Sequence, residues 1–235
     1  MFVRSTIDHA APIWSPSASK TSIGRLQVVQ NKALRAITGC VLRSNIDDLH
    51  REAKILRIED HLNMISTQAV TRYVNPAHPC HFLLQEPSPP RNMKLPAHVK
   101  WRSRVPDTAS DNIPGAIKEV HNQATTRAIN ALAPSRLLGQ PPPPVHPDEA
   151  LLPRNKRIML ARARCGQHPA LLDFQHKIGR APSPKCPRCP GLDSVAHRFT
   201  QCPALSHQRI GNICLRSLWE DPKGAADFAE VAGLA

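Results

Sequence analysis

Three cysteines and a histidine near the C-terminal end carry the plainest chemistry in this sequence. Cys186, Cys189, His197 and Cys202 stand in the order C-x2-C-x7-H-x4-C. Two residues between Cys186 and Cys189 let both sulfurs face one ion, and a short helix or turn can deliver His197 and Cys202. Gly191 and Asp193 in the middle gap suit a return loop. Three thiolates and one imidazole form a tetrahedral donor set that structural Zn2+ sites use. A catalytic zinc keeps one position for water, whereas four protein ligands leave none. The spacing therefore predicts a closed structural Zn2+ that folds a segment poor in apolar residues. His207 and Cys214 are the substitute ligands, and the alternative is a loop of reduced cysteines with His197 on the surface. The middle spacer is longer than that of a retroviral zinc knuckle.

Other reactive groupings are scarce. Asp47 and Asp48 are adjacent carboxylates at a helix start, where the helix dipole favours them, so they read as a cap rather than a metal site. The sequence holds no P-loop, nucleophile elbow or His/Asp/Ser arrangement.

Charge points elsewhere. The 235 residues carry a formal net charge of +13, which favours contact with polyanions, nucleic acid above all. The alternative is a basic protein kept soluble by its charge. Arg154, Lys156, Arg157, Arg162 and Arg164 crowd one predicted helix, and Arg180, Lys185, Arg188 and Arg198 surround the Cys/His motif. Lys20, Arg25, Lys32 and Arg35 lie mostly off the apolar stripe of another helix. These thirteen are the candidate nucleic-acid contacts. Phe199 can stack on a base or fill the core of the metal module, and the core is the preferred reading. Seven cysteines, an odd number with four standing alone, argue against a secreted disulfide framework. The N-terminus has no signal-peptide pattern, and no window approaches the apolar length of a membrane span. The expectation is an intracellular protein, in nucleus or cytoplasm, with reduced thiols.

The elements that must position these groups are mainly helical. Residues 19–39 give the clearest helix, with Ile23, Leu26, Val29, Gln30, Ala33, Leu34 and Ile37 on one face and Gly39 as the stop. A second runs from about Ile46 to Leu56, capped by Ser44 or Asn45, with Ile46, Leu49, Ala53 and Leu56 inward. A third covers about Ile58 to Val74. Short connections make the three antiparallel neighbours, so 1–74 reads as a helical bundle. Residues 75–112, with EPSPPRNMKLP, read as a low-order linker. A helix at 113–133 follows, opened by Pro114 with Ile117, Val120, Ala124, Ala128 and Leu132 inward. The PPPP run makes 134–150 an extended spacer. Residues 151–220 hold the basic helix, which would bury Ile158, Leu160 or Ala161, and Cys165. A short helix in ALLDFQHKIG, the metal module and a last helix through Ile210, Ile213, Cys214, Leu215 and Trp219 complete the unit. Residues 221–235 read as a tail. The 24 prolines, roughly double the usual share of about 5%, fit helical blocks joined by linkers. Residues 1–14 begin in mid-pattern, as expected of a piece of a longer protein.

Two stretches resemble one family. RSTIDHAAPIWSPSASKTSIGRLQVVQNKALRAITGC followed by LHREAKILRIEDHL looks like the region downstream of the polymerase core in jockey-like non-LTR retrotransposon proteins. ARARCGQHPALLDFQHKIGRAPSPKCPRCPGLDSVAHRFTQCP resembles the end of the same proteins, where an arginine-rich helix leads into a Cys/Cys/His/Cys motif. The resemblance covers about residues 1–75 and 150–205, in family order. His9 stands where the family usually has tyrosine. It implies a thumb-like helical region that grips a template–product duplex and a zinc segment that engages element RNA, target DNA or an RNA–DNA hybrid. It also implies palm and fingers missing from this sequence, which has neither an F/Y-x-D-D polymerase motif nor an endonuclease carboxylate cluster. A two-metal polymerase reaction needs those carboxylates, so the expectation is nucleic-acid binding without catalysis. The alternatives are a zinc-stabilised protein-interaction module and a decayed, non-functional retroelement product.

Overall fold

The computed structural model describes residues 2–87, 97–209 and 213–234. Most of EPSPPRNMKLP, and Ile210 of the expected last helix, lie outside these residues. The helices are α1 (Phe2–Asp8), α2 (Ala11–Trp14), α3 (Lys20–Thr38), α4 (Ile46–Ala53), α5 (Ile58–Arg72) and α6 (Ala97–Arg102). They continue with α7 (Ile113–Asn130), α8 (Arg154–Arg164), α9 (Leu172–Lys177), α10 (Ser217–Glu220) and α11 (Pro222–Val231). The fold is mainly helical, as expected, and no strand occurs among the described residues.

Contacts divide the chain into two units, and the division falls inside α3. The first comprises Met1–Gln30 and Ile55–Leu132; the second comprises Asn31–Lys54 and Ala133–Ala235. Sequence continuity suggested a bundle over 1–74, but residues 31–54 group by their contacts with 133–235 instead.

In the first unit α5 packs against α2, α6 and α7. Ile7, Ala11, Ile58 and Leu62 form a small apolar cluster. Polar groups fill much of the remaining interior. The buried Gln30 donates its amide to Leu56 O (2.9 Å) and accepts from Arg4 (3.3 Å), which explains a glutamine on the apolar face of α3. Val29 and Ile37, expected on that face, are about half exposed. The described parts of 75–112 hold more structure than a linker. Trp101 of α6 is buried and donates its indole N–H to Asn63 of α5, so one aromatic residue anchors that segment.

The second unit has the larger core. Leu160, Leu171, Phe199, Leu205, Leu218, Trp219 and Leu234 are its largest fully buried members. α8 contributes Met159, Leu160 and Ala163, and α11 contributes Ala225, Ala226, Phe228 and Ala229. The expected tail is therefore a core helix, capped by Asp221 accepting from Gly224 N; its many alanines hide an apolar face from a count of large side chains. Residues 213–216 are not helical, and helix begins only at Ser217. The proline-rich spacer also joins this core: Leu137, Leu138 and Val145 pack on it, and His146 N donates to Trp219 O at 2.8 Å.

α3 and α4 end and begin as their sequences dictate. Gly39 takes φ +69°, the left-handed conformation that closes a helix. A Cβ there would lie 2.6 Å from Ile158 Cγ2, so closeness to α8 also demands glycine. Asn45, one of the two expected caps, accepts from Asp47 N. Of the expected stripe on α4 Leu49 is fully buried, joined by Asp48 and His50, whereas Ile46 is exposed.

Candidate metal centre

The Cys/His motif begins as a minimal hairpin. Lys185 and Leu192 pair as an antiparallel bridge. Cys186 N donates to Gly191 O (2.7 Å) and Asp193 N to Pro184 O (2.9 Å). These bonds fold Cys186 and Cys189 onto one turn. The chain then enters a π-turn over His197–Gln201, in which Cys202 N donates to His197 O at 2.7 Å. That wide turn is the structural meaning of the x4 gap, because an i→i+5 bond sets the histidine and the last cysteine at its two ends. Ser194 Oγ accepts from His197 N at the start of the turn. Gly191 is obligatory for a local reason: a Cβ would meet His197 Cε1 at 2.6 Å.

The result is one cluster. One donor atom from each of Cys186, Cys189, His197 and Cys202 lies within 4.8 Å of all the others. The Cys189 Sγ to His197 Nε2 distance is 3.1 Å. A tetrahedral ion with ligands at about 2.0–2.3 Å sets neighbouring donors about 3.3–3.8 Å apart, so the four atoms fit one ion with small adjustments. Cys186, His197 and Cys202 are buried, and Cys189 is half-buried. Burial first, then the neighbouring sulfurs, pushes the Cys186 thiol up. A metal ion entering the cluster must therefore displace protons. His207 and Cys214 are not part of the cluster.

Its frame is an ion pair that sequence reading missed. Asp193 is fully buried and accepts a bidentate fork from Arg198 at 2.6 and 2.7 Å. Asp193 also accepts from Leu172 N (2.7 Å), the first amide of α9. Arg198 further donates to the carbonyls of Ala232, Gly233 and Ala170. One arginine beside His197 of the cluster thus ties the hairpin, the start of α9 and Ala232–Gly233 together. Phe199 is fully buried, edge-on to Phe228 with ring centroids 5.1 Å apart; it is core, as preferred, and no base can stack on it.

The thirteen basic candidates part into two groups. Lys20, Arg25, Lys32, Arg154, Arg157, Arg180, Lys185 and Arg188 are exposed. The others are engaged within the fold. Arg198 is used as described. Arg164 is 3% exposed; it bonds Glu52 at 3.0 Å, Glu149 through two nitrogens and Leu218 O at 2.7 Å. Lys156 pairs with Asp227 and Glu230 of α11. Arg162 donates to Gly39 O at 2.7 Å, and the partly buried Arg35 donates to Asn31 O. Arg164 and Arg198 are therefore not surface cations. They are charges whose burial is supportable only through their carboxylate partners. Glu52, Glu149 and Asp193 lie 112, 15 and 5 residues from those arginines, and no local pattern announces such pairs.

Comparison with protein-family models, curated proteins and solved structures gives no match. The site must be read from its own geometry. Cavities bear on that reading: the one beside Cys186 and Cys202, also lined by Pro187, Arg188, Arg198 and Leu205, measures about 50 Å3. A pocket for a drug-sized ligand spans about 300–1,000 Å3. Among the described residues no helix is long and apolar enough to cross a membrane.

Proposed function

We propose that this chain is the nucleic-acid-binding C-terminal portion of a retrotransposon RNA-directed DNA polymerase, without polymerase activity of its own. In this reading Cys186, Cys189, His197 and Cys202 hold a structural Zn2+, and the protein works in the reducing nucleus or cytoplasm. The observation that carries the reading is the four-donor cluster, with no fifth group in the set among the described residues, in a chain of net charge +13. Four protein ligands complete a tetrahedron and leave no position for a reacting water. The second unit also exposes Arg154, Arg157, Arg180, Lys185 and Arg188, whose role would be to neutralise phosphates of element RNA, target DNA or a hybrid.

Binding to labelled RNA, DNA and RNA–DNA hybrid tests it, using the full zinc-loaded chain. Five phosphate contacts make affinity fall about 10²- to 10³-fold between 50 and 200 mM salt. Replacing Arg154, Arg157 and Arg188 together with Ala should flatten that dependence while the fold persists, because all three are exposed. Binding that ignores salt, or no binding, contradicts the reading.

One observation favours a second reading, a zinc-stabilised protein-interaction module. Ile37 of α3 and the nearby Leu42, both in the second unit, are exposed apolar side chains. Under this reading the triple arginine variant leaves partner binding intact, whereas I37D/L42D abolishes it.

A further inference from the structure

Two of the four cysteines outside the metal cluster meet in space. Cys40 follows the glycine that ends α3, and Cys165 closes α8; 125 positions separate them. Both belong to the second unit. Their sulfurs lie 3.7 Å apart and both side chains are buried, at 7% and 4% exposure. The surroundings hold them there. Arg162 of α8 donates to Gly39 O at 2.7 Å, and Thr38 Oγ accepts from Cys40 N. Ile158 fills the space that a side chain at position 39 would need. A disulfide needs its sulfurs about 2.05 Å apart, so these two must approach from 3.7 Å to bond.

The geometry points to Cys40 and Cys165 as a reversible dithiol/disulfide pair, oxidised by hydrogen peroxide, that covalently ties residues 31–54 to α8 independently of the metal centre. The chemistry balances in two steps. The Cys40 thiolate attacks the peroxide O–O bond, forming Cys40 sulfenic acid and releasing hydroxide, which takes the Cys40 proton to become water. The Cys165 thiol then attacks the Cys40 sulfur; an S–S bond forms, the S–O bond breaks, and the sulfenic oxygen leaves with the Cys165 proton as a second water. Two thiols are oxidised and one peroxide is reduced. Either sulfur can donate to the other across this contact, so the steps balance equally with Cys40 and Cys165 exchanging the roles of attacking thiolate and resolving thiol.

Trypsin makes the test clean, because AITGCVLR (36–43) and CGQHPALLDFQHK (165–177) each contain a single cysteine. The zinc-loaded full chain is treated with stoichiometric peroxide, remaining thiols are blocked with N-ethylmaleimide, and the digest is read by mass spectrometry without reduction. The expected product is peptide 36–43 joined to peptide 165–177, separating on addition of dithiothreitol. In C165A, which lacks the resolving thiol, dimedone should label peptide 36–43 after peroxide treatment. Recovery of the two wild-type peptides only as separate alkylated species, while other cysteines oxidise, overturns the proposal. Where C165A does not fold, the wild-type digest decides alone.

Discussion

The two units of this chain keep their polar groups inside by different means. The first buries neutral or lightly charged networks. His61 reaches Asp8 through Nε2 at 2.6 Å and Arg4 through Nδ1 at 3.2 Å. Arginine can only donate, so Nδ1 accepts and the imidazole proton sits on Nε2, facing the carboxylate. Burial, reinforced by Arg4, lowers the His61 pKa, which keeps that neutral form. The second unit buries full charges, Arg164 between Glu52 and Glu149 and Arg198 on Asp193, and adds the Cys/His cluster. The contrast teaches that the second unit is tied by a few buried ion pairs and the Cys/His cluster, whereas the first rests on packed helices and buried hydrogen-bonded groups.

Metal removal should separate the two units most. Chelation, or C202A at a fully buried ligand, is expected to release hydrogen-exchange protection across α9, the hairpin and α11. Protection in α5 and α7 should persist. Structural zinc sites contribute on the order of 10 kcal/mol in small modules, so equal loss in both units would break the comparison.

Next in size is R164A. It leaves Glu52 and Glu149 facing each other without a cation, and the burial that already raises the Glu52 pKa then acts unopposed. Breaking a buried pair costs about 3–5 kcal/mol, measurable as a lower urea midpoint. R157A on the exposed face of the same helix should stay within about 0.5 kcal/mol.

Acid offers a third test. His168 is buried, and burial, then the nearby Arg162 and Arg198, lowers its pKa to about 4. The folded value lies below the unfolded one, so the neutral form stabilises fully above pH 6.5 and the contribution falls away as pH drops toward 4. The loss amounts to about 3 kcal/mol. Urea midpoints of wild type and H168Q at pH 7, 5.5 and 4 should converge as pH falls; a constant difference contradicts the assignment.

The smallest effect is expected at Gly39. G39A places a Cβ in the left-handed region and against Ile158, costing about 1–2 kcal/mol from backbone strain with some further repacking. G139A, also at φ +69° but in open space, should show the strain alone.

The Cys/His cluster was legible in the sequence because it is local: four donors within one short stretch, spaced for a turn. Helices α3, α5, α7 and α8 were legible through periodicity, and Gly39 and Asn45 through their end chemistry. What escaped depends on side-chain partners and packing rather than on periodicity. Arg164 reads as one more basic residue in RARC until Glu52 arrives from 112 positions away. Arg198 reads as a surface charge flanking the motif until Asp193 is seen fully buried. α11 escaped because alanines rather than large side chains form its buried face, and α6 because one tryptophan anchors it.

The central claim is that Cys186, Cys189, His197 and Cys202 form a closed metal centre that holds the C-terminal unit. Metal analysis of the full chain, purified without added metal and freed of loosely bound ions, tests it directly. The account predicts one zinc per chain, lost in C202A; a chain that folds with no zinc would contradict it.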